Sequence, residues 1–229
     1  MNSYMSIEFV KIPIDHSQDI IGLKKFWLNI YHILKSRENY FCKIWENGTN
    51  TEIFLELIFC ILTPQSKATL CWQAVKNIDQ LYSKYMTIKE KDILKAIKHI
   101  RFHNAKAKYI MEAKKLFIVN NILDVRAKVV NNIYSTREWL VNNVKGLGYK
   151  ESSHFLRNIG IGRELAILDR HILCNLRLYN IIDVIPQYLT KKTYLTIENK
   201  MQNFAKKLNI PMCHLDMILW SKSTGGIFK

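Results

Sequence analysis

The fold is decided by the stretch Val144-Lys145-Gly146-Leu147-Gly148-Tyr149-Lys150. Two glycines flank one leucine here, so the main chain can turn tightly, and its N–H groups can approach a negatively charged surface without interference from Cβ atoms. Apolar residues at helical spacing lie on both sides of this turn. They are Trp139, Leu140 and Val144 before it, and Phe155, Leu156 and Ile159 after it. The stretch therefore predicts two helices joined by a tight turn, a helix-hairpin-helix.

Both helices of this hairpin (residues 135–160) have recognisable starts. The sequence Ser135-Thr136-Arg137-Glu138 has the spacing of a capping box, so we expect the first helix to begin there. The second helix follows Gly148, and its N-terminus would present free N–H groups and the positive end of the helix dipole. A DNA phosphate suits such a site, and Lys150 would lie in the first turn of the second helix.

The chain carries a strong positive charge. Among its 229 residues, 34 are lysine or arginine and 19 are aspartate or glutamate, which gives a formal net charge of +15. This excess favours a polyanionic partner, either a nucleic acid or an anionic membrane surface, although a coding bias toward lysine codons would also raise the charge. No apolar run approaches the roughly 18 residues that span a bilayer, and no signal-peptide pattern is present. We therefore expect a soluble, intracellular protein of the cytoplasm, nucleoid or nucleus.

Helical periodicity runs through almost the whole chain. Glycine (8 residues) and proline (4 residues) are scarce, and apolar residues recur at intervals of three and four. The five cysteines are scattered and mostly lie in apolar segments, so we interpret them as reduced core thiols. They are Cys42, Cys60, Cys71, Cys174 and Cys213. These features predict an all-α protein.

A lysine and an aspartate indicate the family that the chain resembles. Lys150 follows the hairpin, and Asp169 stands nineteen positions later, within Asp169-Arg170-His171. This combination resembles the helix-hairpin-helix DNA glycosylases, and within them the archaeal-type branch of the 8-oxoguanine DNA glycosylase/lyases. The resemblance spans residues 57–229 and is strongest over residues 145–174 and in the last fifteen residues.

The resemblance implies a catalytic role for both residues. Lys150, as a free amine, would attack C1′ of the damaged nucleotide and form a Schiff base, after which elimination of the 3′ phosphate nicks the strand. Asp169, as a carboxylate, would stabilise the positive charge that develops on the sugar as the base leaves. The residues considered alone also permit simpler roles, because Lys150 could contact a phosphate and Asp169 could cap a helix.

The resemblance places base recognition in the last part of the chain. 8-Oxoguanine has N1–H and N2–H donors on its pairing edge and an N7–H donor that guanine lacks, so its binding site needs acceptors. The resemblance implies that the base stacks on Trp220, that the terminal carboxylate of Lys229 meets the pairing edge, and that Asp216 orients the pocket. Without the resemblance, Trp220 would be interpreted as a core anchor and Lys229 as a frayed tail.

Other DNA contacts also follow from the family likeness. Gln65, in the turn Thr63-Pro64-Gln65-Ser66, matches the residue that fills the gap left by an extruded base. Arg101 and Phe102 match the segment that lies against the strand opposite the lesion, where the phenylalanine would stack on the orphaned base. The remaining predicted DNA contacts are Gly146, Gly148 and His171. Two simpler interpretations remain. The turn with Gln65 could be a plain helix start after Pro64, and Phe102 could belong to the core.

We therefore predict an all-α protein of two helical subdomains, with the helix-hairpin-helix at their junction and a DNA cleft between them. Residues 1–51 would pack with the C-terminal subdomain (161–229), and residues 52–160 would form the central subdomain. The predicted partner is double-stranded DNA containing 8-oxoguanine, bound by a monomer. Neither a metal nor a cofactor is expected, because the clustered cysteines of the iron-sulfur branch of this superfamily are missing after the hairpin.

The predicted function is excision of 8-oxoguanine through a lysine Schiff base, followed by cleavage of the strand 3′ to the abasic site by β-elimination. Two alternatives stay open. One is the same chemistry on another oxidised base. The other is a helical DNA-binding module that has no catalytic activity and uses the hairpin only to grip phosphate.

Overall fold

The computed structural model describes residues 7–12, 15, 17, 19–85, 88–129 and 132–229. Over these residues the chain is almost entirely helical, with two short two-stranded sheets, and the expected all-α class is confirmed. The helices are α1 (Ile20–Asn29), α2 (Tyr31–Asn47), α3 (Asn50–Leu62), α4 (Ala68–Tyr85), α5 (Glu90–Ile97), α6 (His103–Leu116), α7 (Ile133–Asn143), α8 (Tyr149–Asn158), α9 (Arg170–Leu178), α10 (Lys191–Leu208) and α11 (Met212–Thr224). The strands are β1 (Val10–Lys11), β2 (Ile118–Val119), β3 (Ile122–Leu123) and β4 (Gly226–Ile227).

The described residues divide into two compact units. One unit contains Ile44–Phe155, and the other contains Ile7–Lys43 together with Leu156–Lys229. Both boundaries lie earlier than the positions 52 and 160 that the sequence led us to expect, and the second boundary falls inside α8. Residues 1–6 of the expected N-terminal part lie outside the described residues. The DNA cleft between the subdomains stays a prediction.

The first unit is built around α3. Thr49 and Glu52 form a capping box, in which each side chain accepts the other residue's main-chain N–H, so the helix begins at Asn50. Every residue from Ile53 to Leu62 is buried. A helix that is apolar on nearly every face must be surrounded by other elements, and α4 and α6 pack against α3.

The second unit is built around α11. Met212–Leu219 is buried throughout, and α1, α9 and α10 pack against this helix. Pro211 precedes its first turn and Gly225 ends it in a left-handed conformation (φ +70°), which a glycine adopts without strain. None of the described helices, in either unit, is long and apolar enough to cross a membrane.

The start of the hairpin helix α7 differs from our expectation. The capping box predicted at Ser135 is wrong, because α7 begins at Ile133 and its cap is Asn132. The Asn132 side chain accepts the N–H groups of Tyr134 (2.9 Å) and Ser135 (3.2 Å). Asparagine is as good an N-cap as serine, so the earlier of two competent caps is the one used.

The cysteines follow the expected pattern with one exception. All five are free thiols. Cys60, Cys71 and Cys213 are buried and Cys42 is half-buried, whereas Cys174 is exposed, so interpreting Cys174 as a core thiol was wrong. It lies on the outer side of α9, where the apolar stripe that faces the core consists of Ile172, Leu173 and Leu176.

Candidate active site

The helix-hairpin-helix forms at the expected place, between α7 and α8. Val144 and Leu147 are buried and anchor the turn, and the Leu147 N–H donates to the Val144 carbonyl at 3.2 Å. Gly146 has a φ of +87°, and a Cβ there would lie 2.8 Å from the Tyr109 ring. Gly148 has no positive φ, although a Cβ there would lie 3.3 Å from Glu151 Oε2, so this carboxylate would have to shift by a few tenths of an ångström. Only the first of the two glycines is therefore required by the geometry of the turn.

Lys150 lies in the first turn of α8, as the sequence predicted. Its Nζ is 2.9 Å from Oε1 of Glu151, and its side chain is 25 % exposed. The other oxygen of the same carboxylate, Glu151 Oε2, accepts the Gly148 N–H at 3.2 Å. An amide that we expected to be free for a DNA phosphate is therefore already occupied by a carboxylate of the chain itself.

Glu151 is a site residue that the sequence reasoning missed. A glutamate in the first turn of a helix is common, because it favours the positive end of the helix dipole. The signal that distinguishes this one is its position next to the candidate nucleophile and three residues after the second hairpin glycine. Among the described residues it is the carboxylate that pairs with the Lys150 ammonium, which makes it a candidate proton acceptor for the amine.

A second lysine, Lys106 on α6, lies close enough to Lys150 for the two charges to interact. Its side chain is buried, and its Nζ donates to the carbonyls of Leu62 (2.7 Å) and Pro64 (2.8 Å) and to Ser66 Oγ (3.3 Å). Burial lowers the pKa of Lys106, and the charge of Lys150 lowers it further. The first unit therefore brings together the candidate nucleophile, a buried second cation and the turn that carries the predicted wedge.

The turn held by Lys106 presents Gln65 to solvent. Gln65 is exposed and has a φ of +55°, a left-handed conformation that is uncommon for residues other than glycine. The Ser66 N–H donates to the Thr63 carbonyl at 3.0 Å, which closes the turn. Strained main-chain conformations of this kind cluster at ligand-binding sites. The exposure of Gln65 suits a residue that enters DNA, and the wedge role stays a prediction.

Phe102 is not a core residue. It is 54 % exposed and has a φ of +61°, immediately before α6 begins. The Arg101 guanidinium carbon lies 5.0 Å from the centre of the Phe102 ring, at a distance typical of a cation–π contact. The core alternative for this phenylalanine is therefore wrong. Its exposed ring and the adjacent cation suit a nucleic-acid surface, and the stacking role stays a prediction.

Asp169 caps α9 in the second unit. Its carboxylate Oδ1 accepts the Ile172 N–H at 2.8 Å, and its own N–H donates to the Ile167 carbonyl at 2.8 Å. The cap role that the residue type suggested is confirmed. A capping carboxylate is held in one orientation, which is compatible with a catalytic role. His171, two residues later, is exposed.

Asp216 lies buried near Asp169. The pKa of Asp216 is raised to about 7, chiefly by burial and also by the charge of Asp169, against the opposing effects of Arg157 and a hydrogen bond from the Ile167 N–H (3.3 Å). The two carboxyls are therefore electrostatically coupled within the second unit. Asp216 can therefore hold a proton near neutral pH. A carboxylate that had only cations as neighbours would have a lowered pKa and would stay ionised.

The two other predicted base contacts lie on and after α11. Trp220 is half-buried, so part of its ring is free, and both the stacking role and the core role stay open. Lys229 is only 9 % exposed, so its interpretation as a frayed tail is wrong. Neither position tests whether these residues bind a base.

One buried cluster in the second unit has the residue types of a metal site. Glu38, Cys213 and His214 place their ligand atoms within 4.8 Å of one another. However, the Glu38 carboxylate is already paired with Lys35 (2.7 Å) and Arg163. Burial raises the pKa of the Cys213 thiol, so the thiolate that a metal needs is disfavoured.

The histidine of this cluster is neutral, and one of its two ring nitrogens is already occupied. Trp27 Nε1 donates to His214 Nδ1 at 3.3 Å, so the neutral ring carries its proton on Nε2, which faces Glu38 Oε2 at 3.4 Å. Burial lowers the pKa of His214 to about 4, helped by the charges of Lys35 and Arg163. The Glu38 carboxylate is therefore neutralised by two cations and the Cys213 thiol stays protonated, so these two groups do not suit a metal.

The two residues predicted to be catalytic belong to different units. Lys150 belongs to the first unit, and Asp169 belongs to the second. Their expected action on one nucleotide stays a prediction. Each residue nevertheless has a defined local setting, an ion pair at a helix start for the lysine and a helix cap for the aspartate.

Comparison with known proteins gives a consistent result. A family model described as 8-oxoguanine DNA glycosylase matches residues 34–210. The chain is 42 % identical over 212 residues to the 8-oxoguanine DNA glycosylase/AP lyase of Fusobacterium nucleatum, which covers 90 % of this chain and 96 % of that protein. It is 36 % identical over 189 residues to the Methanocaldococcus jannaschii protein of the same name, covering 82 % and 87 % respectively.

Solved structures agree with the sequence comparisons. The 8-oxoguanine DNA glycosylase of Thermotoga maritima matches with a TM-score of 0.81 and 30 % identity, over 92 % of this chain and 98 % of that one. The Methanocaldococcus jannaschii glycosylase/lyase, solved in complex with a 15mer DNA containing 8-oxoguanine, matches with a TM-score of 0.81 and 34 % identity, over 92 % and 99 %. The family match covers most of the chain, and the chain belongs to the 8-oxoguanine DNA glycosylase family.

Proposed function

We propose that this protein excises 8-oxoguanine from double-stranded DNA and then cleaves the strand at the resulting abasic site. The observation that carries the proposal is the Lys150–Glu151 ion pair in the first turn of α8 (2.9 Å), in a chain that belongs to a glycosylase family. Covalent catalysis needs a nucleophilic amine close to the DNA backbone and a carboxylate that can take its proton. The hairpin offers both groups.

The first step transfers the sugar from the base to the lysine. The Lys150 ammonium first gives up a proton, and the resulting neutral amine attacks C1′. A C–N bond forms, and the glycosidic bond breaks with its electron pair leaving on the base, which takes up the proton that the newly bonded nitrogen releases. Asp169 stabilises the positive charge on the sugar as this bond breaks. Glu151, already in contact with the amine, accepts the proton that the attacking nitrogen must lose.

The second step breaks the DNA strand. The sugar ring opens to give a protonated Schiff base between Lys150 and C1′, which makes the C2′ proton acidic. Transfer of that proton to water and departure of the 3′ phosphate with the C3′–O electron pair complete the β-elimination, and water then hydrolyses the Schiff base to release the amine. No redox reaction occurs in this sequence, so the proposed chemistry requires no redox cofactor.

The proposed DNA surface is cationic and carries exposed groups on the first unit. Gln65 fills the gap left by the extruded nucleotide, and Arg101 with Phe102 contacts the opposite strand. Lys91, Lys95 and Lys98 are exposed and add phosphate contacts. Gly146 and Gly148 bring hairpin amides to the DNA backbone. His171 of the second unit adds a further DNA contact. The protein acts as an intracellular monomer.

The proposed base site belongs to the second unit. Trp220 offers a half-exposed ring on which an extruded purine can stack. Asp216, which can hold a proton near neutral pH, orients the pocket. Lys229 lies in a buried segment after α11 and supplies the acceptor for the pairing edge of 8-oxoguanine.

Borohydride trapping tests the proposal. A duplex containing 8-oxoguanine should yield a covalent protein–DNA adduct with the wild-type protein, and Lys150→Gln should yield none. Lys145→Gln is the matched control, because Lys145 lies on the same hairpin, is 65 % exposed and pairs with Glu112 at 3.0 Å. Its adduct should match the wild type.

Three results would contradict the proposal or part of it. If Lys150→Gln still forms the adduct, the lysine is not the nucleophile. If the wild-type protein forms an equally strong adduct with an oxidised pyrimidine, the assignment of the lesion fails, although the lyase chemistry survives. If the wild-type protein binds the duplex and forms no adduct, the alternative of a non-catalytic binding module holds.

A further inference from the structure

The segment after α11 is ordered by the N-terminal part of the chain. Gly226–Ile227 forms strand β4, which pairs antiparallel with β1 (Val10–Lys11), and residues 226–229 are all buried. The family model covers residues 34–210, so both partners in this pairing lie outside the matched region. We call the described residues 7–12, 15 and 17 the N-terminal brace, and residues 225–229 the tail.

Main-chain pairing provides the first connection between the brace and the tail. Val10 lies opposite Ile227, Lys11 lies opposite Gly226, and the Ile12 N–H donates to the Gly225 carbonyl at 3.1 Å. Hydrogen-bonded and non-hydrogen-bonded pairs alternate along an antiparallel ladder. The Ile12–Gly225 rung is hydrogen-bonded, so the adjacent Lys11–Gly226 rung is not.

Side-chain packing provides the second connection. A Cβ at Gly226 would lie 2.1 Å from Cζ of the Phe9 ring and 2.8 Å from the Val10 carbonyl oxygen, so the brace approaches the tail as closely as a glycine allows. The rings of Phe9 and Phe228 lie 6.5 Å apart between their centres. This close packing of one ring against Gly226 and Phe228 restricts where the tail can lie.

A buried ion pair provides the third connection. Lys222, in the last turn of α11, pairs with the Asp15 carboxylate and donates to the Ser17 carbonyl at 2.7 Å, and its side chain is 5 % exposed. Tyr179 also donates to the Ser17 carbonyl, at 3.4 Å. Arg37 on α2 donates to the Glu8 carbonyl at 3.1 Å, so the brace is fixed to the body of the second unit at both ends.

The tail in turn is joined to the helix that carries Trp220. Thr224 Oγ1 donates to the Trp220 carbonyl at 3.1 Å and lies 3.4 Å from the Gly226 carbonyl. A few residues after a helix have little order of their own, because fixing each residue costs conformational entropy. The contacts with the brace offset this cost.

We propose that the N-terminal brace is a positioning element for base recognition, which holds the tail in a fixed place relative to Trp220. This inference rests on the proposed function, in which Trp220 and Lys229 contact the base. Recognition requires groups held within about 0.5 Å of their productive geometry. The brace therefore acts on the base-excision step, and the lysine chemistry on an abasic site, which has no base to recognise, does not depend on it.

Two variants weaken the brace by different means. Ile12→Pro removes the N–H that bonds the Gly225 carbonyl, and Lys11→Pro is its matched control, because Lys11 lies on the rung without hydrogen bonds and its side chain is exposed. Lys222→Met removes the buried ion pair, and Lys206→Met, an exposed lysine of the same unit, is its control. Each protein is assayed as the full chain.

The readouts separate base recognition from lysine chemistry. Single-turnover excision of 8-oxoguanine is compared with cleavage of a preformed abasic site by the same protein, and hydrogen exchange reports the order of residues 225–229. We expect Ile12→Pro and Lys222→Met to slow 8-oxoguanine excision by about 10- to 100-fold, because a displacement of about 1 Å has effects of this size. Cleavage of the abasic site should stay close to wild type, tail exchange should accelerate, and both controls should behave as wild type.

Three outcomes would overturn the inference. The first is wild-type excision by both brace variants despite faster exchange of the tail. The second is an equal loss of excision and abasic-site cleavage, which indicates general damage to the fold. The third is an equal loss in Lys11→Pro and Ile12→Pro. A wild-type protein that does not excise 8-oxoguanine contradicts the proposed function itself, and the inference falls with it, whereas the first three results leave the proposed function intact.

Discussion

Lys150 and Glu151, neighbours in the first turn of α8, form an ion pair at 2.9 Å while the same carboxylate accepts the Gly148 N–H of the hairpin. The hairpin amide, the acid and the candidate nucleophile are thus linked in one short chain of contacts. A DNA phosphate that approaches Gly148 competes with Glu151 for this amide. DNA binding and the environment of the nucleophile are therefore coupled through a single carboxylate.

Glu151→Gln should slow catalysis without weakening DNA binding. The amide keeps a similar shape but cannot accept the proton that the attacking amine loses, and general-base effects are typically about 100-fold or more. We expect single-turnover excision to fall by about that factor, while the affinity for an uncleavable abasic duplex stays equal or increases because one negative charge is lost.

Glu112→Gln is the control for this prediction. Glu112 also pairs with a hairpin lysine, Lys145, at 3.0 Å, but its side chain is 45 % exposed and it does not contact the nucleophile. Its rate should match that of the wild-type protein. A Glu151→Gln rate equal to wild type would exclude the carboxylate as proton acceptor.

Lys106→Met should destabilise the protein and loosen the Gln65 turn. The buried ammonium donates to two carbonyls and a hydroxyl of residues 62–66, and buried acceptors left unsatisfied cost about 1–3 kcal/mol. We expect a lower free energy of unfolding in urea by about that amount, together with slower extrusion of a fluorescent base analogue. Lys108→Met, an exposed lysine on the same helix, should change neither quantity. An unchanged free energy of unfolding in Lys106→Met would show that the hydrogen bonds from Lys106 do not stabilise the Gln65 turn.

Gln65→Gly should slow excision of the base without lowering the stability of the protein. Gln65 has a φ of +55° and an exposed side chain, so a glycine relieves a strain of about 1 kcal/mol that offsets its greater entropy in the unfolded chain. The melting temperature should stay the same or rise, while excision slows because nothing fills the gap left by the extruded nucleotide. A clear drop in melting temperature would show that the side chain serves the fold.

Asp216→Asn should change the pH dependence of stability. Burial raises the pKa of Asp216 to about 7, above the ordinary 3.8. The stability contributed by the protonated form is fully present below the unfolded pKa and is lost as the pH rises toward 7. Relative to Asp216→Asn, which stays neutral, the wild-type free energy of unfolding should fall by about 1.4 kcal/mol per pH unit between about pH 4 and 7 and then level off.

The comparison between the two proteins removes most other titrations. Asp169, which raises the pKa of Asp216, and Arg157, which lowers it, are present in both. The asparagine oxygen can still accept the Ile167 N–H. Urea unfolding at a series of pH values gives the difference directly. A difference that does not change with pH would mean that Asp216 is ionised throughout this range.

Local patterns in the sequence were sufficient for much of the fold. The buried run of α3, the hairpin turn at Gly146, the position of Lys150 in the first turn of α8 and the cap at Asp169 depend on residues within a few positions of one another. The apolar periodicity of a helix and the residues that cap it involve positions within about one turn of each other. Both patterns can therefore be recognised in a single sequence. Where two competent caps lay close together, at Asn132 and Ser135, that local information was ambiguous.

The amino-acid sequence by itself determined the helical class, the hairpin and the residue types offered for catalysis. Only the tertiary structure decided which partners those residues have: Lys106 under the Gln65 turn, Asp216 beside Asp169, and Val10 paired with Ile227. These partners are separated by tens to hundreds of residues, and burial, which shifts the pKa values and orders the tail, arises only when distant segments exclude water together. A two-residue strand has no period to detect, so its existence depends entirely on the segment it meets.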